Sequence, residues 1–559
     1  MPVSKIDLDK CIGCGTCVES CPMDVFRLDT VVEYRREHSP CSLACPLGVW
    51  QREYHDLLQM GMLDEAAEIL RLCHPMPAIT GRLCPHPCET ECTRTKIDEA
   101  VNINALEQYL GDHLLGLEPP TPGPPGRGRA AVVGSGPAGL AAAYFLAVDG
   151  YEVTVFEKDA KPGGLLRSVV PAFRLPEEVV DAQIEFYRKM GIGFRTGVRV
   201  GVDVTVEGLR EEGYDAVVAA TEAARPIGLS VPGSDAGGIV SAMEFLCAAR
   251  AASASVSGAV TVVGGGSVAL DAARTALRLG ADPVNVICLE RLEPSLKDSM
   301  LALTAEIEES MAEGVQIHPS RGVESFVVDD GRVTAVRCVE CLSVRDEDGR
   351  FNPVYGDCVL PQVIQAQTVI LAIGQAADPA LVPAGFATDT WGLIIADDAA
   401  VDPGRGLFAA GDAVSGASTV VEALAAGKKA AEMAARYLRG EALAGGVEEE
   451  VVLAAEPPQE KIEKTERVER GIRPAEERRR DFAEAALPFS GPQVQAEAER
   501  CLTCGSRSKI AYLDDCQVCK LCQHCCPTDA IEITEGALLG SLHGWDVVEL
   551  GRGPAGGAR

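Results

Sequence analysis

Residues 129–140 have the sequence RAAVVGSGPAGL, and this stretch decides the fold. The small apolar residues before the first glycine predict a buried strand, and the apolar run over 141–148 predicts a helix. Between them Gly134, Gly136 and Gly139 stand at G-x-G-x-x-G spacing. Glycines at this spacing allow a tight turn, close approach of the backbone to a pyrophosphate, and close packing of the helix on the strand. The stretch therefore predicts a nucleotide-binding loop.

A second predicted strand, over 153–156, supports this interpretation. It ends in Glu157, near the offset at which an acid binds a ribose hydroxyl. A G-x-G-x-x-G alone is weak evidence, and an ordinary surface acid is the alternative for Glu157. Because strand, glycine loop, helix, strand and acid occur in this order, we predict a dinucleotide site.

The same order of elements returns within 260–291, with G-x-G-x-x-A in place of the first motif. The residues of this second nucleotide motif are Gly264, Gly266, Ser267, Ala269, Glu290 and Arg291. We therefore predict an α/β protein with two nested Rossmann-like units.

Length, charge and hydropathy exclude several classes. A chain of 559 residues has room for about three or four domains. Its net charge of −31 argues against nucleic acid or an anionic membrane as a partner. The first nine residues lack the apolar segment of a signal peptide, and the uncharged stretch 130–148 carries the glycine motif rather than a membrane span. We expect a cytoplasmic protein with no membrane span.

The chain has 22 cysteines, and their C-x-x-C clustering in a cytosolic protein favours metal binding over disulfides. The run C-x2-C-x2-C-x3-C-P, typical of bacterial ferredoxins with 4Fe–4S clusters, occurs near both ends of the chain. The cysteines of the two runs are Cys11, Cys14, Cys17, Cys21, Cys516, Cys519, Cys522 and Cys526. A zinc knuckle is the alternative for the first run, although such sites usually have two separated pairs.

In two-cluster ferredoxins the fourth cysteine of each run ligates the other cluster. We therefore predict that the two chain ends form one ferredoxin-like module, in which Cys526 joins the first run and Cys21 joins the second. In the alternative arrangement, one half pairs with a ferredoxin motif of another subunit.

The run HPMPAITGRLCPHPCETEC, residues 74–92, resembles the N-terminal iron–sulfur domain of the glutamate synthase small subunit. Dihydropyrimidine dehydrogenase and the large subunit of NADH-dependent ferredoxin:NADP oxidoreductase share that domain. The resemblance covers the chain from about Ser39 to Gly440. It implies that the first nucleotide unit takes FAD, that the nested unit takes a nicotinamide nucleotide, and that the helical domain holds two 4Fe–4S clusters.

The resemblance also implies the ligands of these two clusters. One would be held by Cys45, Cys84, Cys88 and Glu107, the last in place of a cysteine. A solvated position on an amphipathic helix is the alternative for Glu107. The other would use Cys41 and Cys92.

The family's C-x-x-C before this region is absent. The segment AEAERCLTCG, residues 496–505, resembles the sequence that normally surrounds that motif in the family. We therefore predict that Cys501 and Cys504 complete the cluster of Cys41 and Cys92. A separate metal site, or none, is the alternative for this pair.

The resemblance extends the FAD contacts beyond Gly134, Gly136, Gly139 and Glu157. It implies Gly164, Leu165, Arg167, Gly411, Asp412 and Thr419. Asp412 would bind the ribityl chain, and a helix from about Thr419 to Tyr437 would direct its N-terminus at the flavin. The strand over 368–374 is expected to return the chain to the FAD domain.

Glu290 decides the predicted coenzyme. Relatives that use NADPH usually have paired arginines after this strand, to hold the 2′-phosphate. A carboxylate accepts hydrogen bonds from a free 2′-hydroxyl and repels a phosphate. We therefore predict a preference for NADH, while Arg291 keeps NADPH open.

These motifs divide the chain. We predict a ferredoxin half at 1–34, a helical iron–sulfur domain at 35–116, a linker at 117–129, an FAD domain at 130–225 and 356–440, an NAD(P) domain at 226–355, a charged connector at 441–495, a C-terminal iron–sulfur segment with the second ferredoxin half at 496–535, and a disordered tail at 536–559.

The predicted function is an NAD(P)H-dependent FAD and iron–sulfur oxidoreductase. It would move electrons between NADH and a partner redox subunit or ferredoxin, through about four 4Fe–4S clusters. No acid–base catalytic residue stands out, because hydride transfer to a flavin needs none. A glutamate synthase small subunit is one alternative, and a docking scaffold without turnover is another.

Overall fold

The computed structural model describes residues 3–6, 17, 26–29, 37–120, 123, 126–223, 225–293, 297–356, 362–443, 452–453, 462–504, 507–510, 525 and 531–534. The chain forms two units. One combines Met1–Ser39, Val451–Lys464 and Leu502–Arg559, and the other combines Pro40–Glu450 and Thr465–Cys501. The predicted tail and the ferredoxin cysteines other than Cys17 lie outside the described residues.

The first nucleotide motif lies in a six-stranded sheet. Its strands, in spatial order, are Ala400–Asp402, Leu407–Ala409, Ala216–Ala219, Arg129–Val133, Glu152–Glu157 and Gly193–Thr196. All neighbours are parallel except the first pair. The helices of this domain are Pro137–Val148, Leu165–Ser168, Glu177–Lys189, Val206–Glu211, Asp412–Ser415 and Val420–Leu438, with 3₁₀ turns at Pro379–Leu381 and Pro403–Arg405.

Helices Pro137–Val148 and Val420–Leu438 pack closely on one face of this sheet. A Cβ atom on Gly427 would overlap the carbonyl oxygen of Ala138, so only glycine permits this approach. The middle of helix Val420–Leu438 therefore contacts the first turn of helix Pro137–Val148, which follows the glycine loop. The second helix confirms the one predicted from about Thr419 to Tyr437.

The second nucleotide motif lies in a five-stranded parallel sheet. Its strands, in spatial order, are Gln316–His318, Val284–Ile287, Val260–Val263, Thr368–Leu371 and Ile239–Ser241, and its helices are Ala242–Arg250, Ser267–Arg278 and Thr304–Glu313. The predicted return of the 368–374 strand to the FAD domain is wrong, because Thr368–Leu371 pairs with Val260–Val263. A short apolar run suits either parallel sheet, so its composition does not choose between them.

An antiparallel sheet is added to this domain. It consists of Arg321–Asp329, Arg332–Arg345, Phe351–Tyr355 and Gln362–Gln365, with the long second strand paired to each of the others. Two short strands, Arg225–Pro226 and Gln375–Ala376, pair where the chain passes between the nucleotide domains.

The region 40–114 is helical, as predicted. Its helices are Pro40–Ala44, Gln51–Gln59, Leu63–Cys73, Pro77–Leu83, Pro87–Thr90 and Ile103–Leu114, with a 3₁₀ turn at Thr93–Lys96. Helices Ala475–Arg478 and Gly491–Ala498 follow later in the chain. The second of these packs on Gln51–Gln59 and Ile103–Leu114, so the end of the predicted connector is part of the same core.

Strands from opposite ends of the chain pair in the other unit. Val3–Ile6 is antiparallel to Ile531–Thr534, and Phe26–Asp29 is antiparallel to Arg507–Ile510. A short parallel pair joins Glu37–His38 to Val452–Leu453. Among the described residues, every helix is too short or too polar to cross a bilayer.

Candidate nucleotide and iron–sulfur sites

One cavity of about 1090 Å³ is lined by both glycine loops. It lies between the two parallel sheets, at the ends of the strands that precede Gly134 and Gly264. Ligands of open α/β sheets bind at the carboxyl ends of the strands. The geometry thus brings the two predicted nucleotide sites together.

The first loop has the backbone shape that its glycines predict. Gly134 has φ +103°, and a Cβ atom there would overlap the carbonyl oxygen of Ala220. A Cβ on Gly139 would overlap the carbonyl oxygen of Gly134. By contrast, a Cβ on Gly136 would meet no described atom within 4 Å. The open space beside Gly136, at the N-terminus of helix Pro137–Val148, fits a pyrophosphate.

Glu157 is buried and holds the loop beside it. Its Oε2 accepts hydrogen bonds from the backbone N–H of Ser135 (3.0 Å) and from the Ser135 hydroxyl. That hydroxyl in turn accepts the N–H of Gly163 (2.8 Å). Glu157 also lines the cavity, which places it where an acid contacts ribose hydroxyls.

The second loop repeats this arrangement. Gly264 has φ +141°, and a Cβ on Gly266 would meet no described atom within 4 Å. Ala269 is fully buried, as the third position of the motif requires. Ser267 lines the cavity and donates a hydrogen bond to Glu306 (2.6 Å).

Glu290 lines the same cavity, whereas Arg291 is absent from its lining. A Cβ on Gly265 would overlap Oε2 of Glu290, so the carboxylate lies against the glycine loop. Burial raises the pKa of Glu290. The Arg291 guanidinium instead donates to the carbonyl oxygen of Leu342 (3.4 Å).

Most predicted FAD residues after the first loop surround the cavity. Gly164, Leu165, Asp412 and Thr419 line it. Thr419 caps helix Val420–Leu438 through its hydroxyl, and burial raises the pKa of Asp412.

Two predicted FAD residues stand outside the lining. Arg167 forms ion pairs with Glu177 (2.8 Å) and Asp181 (2.6 Å). Gly411 lies against Ala138 instead, because a Cβ atom on Gly411 would lie 2.6 Å from the Cβ atom of Ala138. The structure therefore does not bring the Arg167 side chain to the cavity.

Arg174 and Lys158 are among the charged residues of the cavity lining that the sequence analysis did not predict. Arg174 forms ion pairs with Asp271 (3.0 Å) and Glu306 (2.6 Å), which ties the FAD domain to the helices of the second nucleotide domain. Lys158 pairs with Glu222 (3.0 Å). Arg174 and Lys158 lie in loops, where the spacing of apolar residues does not predict which side chains face a site.

The helical domain brings together the residues predicted to hold its first cluster. Glu107 is only 6% exposed, which excludes the solvated-face alternative. Burial raises the pKa of Glu107 to about 8. Burial and then the charge of Glu107 raise the pKa values of the Cys45, Cys84 and Cys88 thiols, because each thiol lies near enough to feel that charge.

This group lies beside the nucleotide cavity. Leu83 and Pro85, the two neighbours of Cys84, line the cavity. A cluster bound to Cys84 would therefore lie close to nucleotides bound in this cavity. The ligand set itself stays a prediction.

The residues predicted for the second cluster lie partly in the same core. Cys41, Cys92 and Cys501 all pack against it. Arg94 donates to the carbonyl oxygen of Arg500 (2.9 Å), which fixes the residue before Cys501 beside the turn that follows Cys92. Cys504 belongs to the other unit, and its role stays a prediction.

In the described part of the chain, no three His, Cys, Asp or Glu side chains converge on one metal ion. An iron–sulfur cube places each thiolate on a different iron, so its ligands stand further apart than those of a single ion. The clusters assigned to the helical domain therefore stay predictions.

Three family models match parts of the chain between residues 4 and 428. Residues 128–428 match the pyridine nucleotide-disulphide oxidoreductases. Residues 34–117 match dihydropyrimidine dehydrogenase domain II, 4Fe-4S cluster, and residues 4–27 match the 4Fe-4S binding domain.

Several proteins are similar over most of this chain. The NADP(+)-dependent formate dehydrogenase subunit beta of Moorella thermoacetica is 34% identical over 509 residues, which cover 83% of this chain and 70% of that protein. The NADPH-Fe(3+) oxidoreductase subunit beta of Geobacter sulfurreducens is 32% identical, covering 83% and 75%. The glutamate synthase (NADPH) small chain of Mycobacterium tuberculosis is 34% identical, covering 72% and 86%.

Proposed function

Because the chain belongs to the pyridine nucleotide-disulphide oxidoreductase family, we propose that it is the subunit that passes electrons between NAD(P)H and a partner redox enzyme. The chain is an FAD- and NAD(P)-dependent oxidoreductase with 4Fe–4S domains. The observation that carries the proposal is that both glycine loops line the same cavity.

The residues of this cavity would hold two nucleotides face to face. The loops at Gly136 and Gly266 offer backbone N–H groups and helix N-termini to the pyrophosphates. Glu157 and Glu290 stand at the ends of the following strands, to bind ribose hydroxyls. FAD, when bound, supplies the conversion between hydride transfer and single-electron transfer.

The exit for electrons is proposed through the helical domain. Leu83 and Pro85, the chain neighbours of Cys84, line the cavity. Tyr187 of the FAD domain donates to the Pro75 carbonyl oxygen (2.8 Å), and Tyr144 donates to that of Arg71 (2.6 Å). These buried hydrogen bonds hold the helical domain at a constant distance from the flavin site.

The partner is proposed from the names of two relatives, each a beta subunit of an oxidoreductase. We propose a redox subunit or ferredoxin as the partner, reached through the clusters at the chain ends. A cytoplasmic location is proposed as well, because cysteines that ligate clusters need a reducing compartment.

Anaerobic titration with NADH tests the proposal against the scaffold alternative. The protein loaded with FAD and clusters should lose its flavin absorbance as NADH is added. Gly266→Asp should fold, since its Cβ faces open space, yet its carboxylate should repel the pyrophosphate. NADH should not reduce the flavin of this variant, whereas dithionite should still reduce it. Absorbance that stays unchanged in the parent protein would support the scaffold.

The glutamate synthase small subunit is the second candidate, favoured by the similar proteins of that name. That role requires a separate glutamine-hydrolysing, FMN-binding large subunit. The match covers 72% of this chain, and the ferredoxin match at residues 4–27 adds a function beyond that role. Co-purification of a glutamine-hydrolysing subunit would favour this candidate.

A further inference from the structure

A closed loop within the predicted connector joins three parts of the molecule. We call this loop, residues 471–487, the clasp. The N–H of Arg473 donates to the carbonyl oxygen of Ala485 (3.0 Å), and the N–H of Leu487 donates to that of Gly471 (2.7 Å). These hydrogen bonds hold the two ends of the loop together, so the clasp keeps a shape of its own.

The tip of the clasp binds the second nucleotide domain. Arg478 is 4% exposed, and its Nη1 atom lies 3.1 Å from a carboxylate oxygen of Glu309 and 3.1 Å from one of Glu313. Both acids belong to helix Thr304–Glu313 and also pair with Arg274, in the helix that follows the second glycine loop. The Arg478 guanidinium therefore joins the clasp to two helices of this domain.

The base of the clasp binds the FAD domain and the helical domain. The N–H of Ala485 donates to the carbonyl oxygen of Phe173 (2.9 Å), in the loop whose next residue, Arg174, lines the nucleotide cavity. Glu484 pairs with Arg82 of the helical domain (2.7 Å). One segment thus contacts both nucleotide domains and the helical domain.

Phe173 is the point at which the two nucleotide domains meet the clasp. Its side chain is 1% exposed, and the guanidinium carbon atoms of Arg278 and Arg274 lie 3.9 Å and 4.8 Å from the centre of its ring. A cation over an aromatic face is attracted by the ring. The ring of Phe482, in the clasp, lies 6.4 Å from that of Phe173 between centres. The clasp therefore covers the junction of the two domains.

The connection between the nucleotide domains has the construction of a hinge. The chain passes between them at two short paired strands, Arg225–Pro226 and Gln375–Ala376, and the first of these is exposed. Domains joined in this way move relative to each other by default, and a few residues at the ends of elements absorb the rotation. Rotation would separate the two glycine loops, whose nucleotides must meet for hydride transfer.

We propose that the clasp holds the second nucleotide domain against the FAD domain, with Arg478 as the positioning residue that keeps the two nucleotides at one distance. The inference rests on the proposed function, since it concerns hydride transfer in the same cavity. Arg478 is absent from the cavity lining and acts through Glu309 and Glu313.

Hydrogen exchange of the full chain, loaded with FAD and clusters, tests the inference without electron transfer. In Arg478→Gln the hinge amides, within 225–227 and 374–376, should exchange about tenfold faster, the loss expected for one hydrogen bond between charged groups. Exchange in the core strand Val260–Val263 should stay unchanged and thereby report an intact fold. Arg478→Lys should restore slow exchange at the hinge, because a single Nη1 atom contacts both acids and one ammonium group can replace it.

Stopped-flow reduction by NADH adds a kinetic measurement. The limiting rate of flavin reduction should fall by about tenfold in Arg478→Gln, because a displacement of about 1 Å between reacting groups can cost up to about a hundredfold in rate. Binding of ADP-ribose, a coenzyme fragment without the nicotinamide, should stay unchanged. Reduction of the flavin by dithionite should stay unchanged as well.

Two further variants complete the test. Phe482→Ala replaces a half-buried side chain, so it should fold, and it should speed exchange at the hinge as Arg478→Gln does. Arg480→Gln is the matched control, since Arg480 lies in the clasp with a side chain that is 76% exposed. It should leave hinge exchange and the limiting rate unchanged.

Unchanged hinge exchange in both Arg478→Gln and Phe482→Ala would overturn the inference alone. Faster exchange that spreads equally over Val260–Val263 would also overturn it, since it would show general destabilisation. A limiting rate that is unchanged in Arg478→Gln would exclude Arg478 as a positioning residue. Failure of NADH to reduce the flavin of the parent protein would overturn the proposed function and, with it, the role of the clasp.

Discussion

The phenolic hydroxyl of Tyr54 donates a hydrogen bond to Oε1 of Glu107 across 3.3 Å, in the core of the helical domain. Tyr54 is fully buried, and no described basic side chain is paired with Glu107. A buried carboxylate with one neutral donor is costly. Iron at this position would supply the positive charge that the carboxylate lacks.

The first prediction follows from this pair. Glu107→Ala should remove one 4Fe–4S cluster, because the cube would lose a ligand. Iron content and EPR of the reduced protein measure the change. Glu65→Ala, an exposed acid of the same domain, is the control and should keep all clusters. A full iron content in Glu107→Ala would remove Glu107 from the ligand set.

The displaced cysteine motif provides the second prediction. Cys504→Ala should abolish the cluster assigned to Cys41 and Cys92, because half of its ligands come from the late motif. EPR of the reduced variant should lack one signal. Cys247→Ala, which replaces a cysteine outside every proposed ligand set, should keep the count. An unchanged count in Cys504→Ala would exclude the pairing.

The paired strands of the chain ends provide the third prediction. Removal of residues 1–30 deletes both Val3–Ile6 and Phe26–Asp29, the partners of the C-terminal strands. The truncated protein should lose both ferredoxin clusters and keep FAD, with NADH still reducing the flavin. A cluster retained at full occupancy on Cys516, Cys519 and Cys522 would contradict the shared module.

Coenzyme preference is the subject of the fourth prediction. Glu290 favours NADH, because its carboxylate repels a 2′-phosphate. Glu290→Arg should shift the ratio of the two kcat/KM values toward NADPH, measured by steady-state kinetics. Glu293→Arg, just beyond the strand and outside the cavity lining, is the control. A clear preference of the parent enzyme for NADPH would contradict the predicted role of Glu290.

A buried ion pair provides a prediction about stability. Glu313 is fully buried and accepts from Arg278 (2.7 Å) and Arg274 (2.7 Å). Glu313→Ala should destabilise the domain by about 3–5 kcal/mol, since it leaves the buried Arg278 guanidinium without its acidic partner. Thermal unfolding measures the loss. Glu308→Ala, at an exposed position of the same helix, should change the melting temperature little. An equal decrease in melting temperature in the two variants would contradict the stabilising role of the buried ion pair of Glu313.

Local motifs could be predicted from the sequence because their geometry is local. The turn at Gly134 needs a positive φ, and the helix after Gly136 follows directly from its apolar run. The family resemblance implied the residues of the first cluster, although only the structure establishes that Glu107 is buried.

Relations between distant elements were harder to predict. Thr368–Leu371 is an apolar run that either parallel sheet could accept, and only its pairing with Val260–Val263 assigns it. Arg321 and Arg345 line the cavity from an antiparallel sheet. No sequence motif predicts the register of the strands in that sheet. The acidic and basic residues near 484 looked like a solvated connector, yet Glu484 pairs with the buried Arg82 (2.7 Å).

The most direct test of the central claim is rapid-freeze EPR after anaerobic mixing with NADH. The claim is that electrons pass from the nicotinamide through the flavin to the clusters. We predict that flavin absorbance falls first and that signals of reduced 4Fe–4S clusters then rise in the same protein. A flavin that is fully reduced while every cluster stays oxidised would contradict the account.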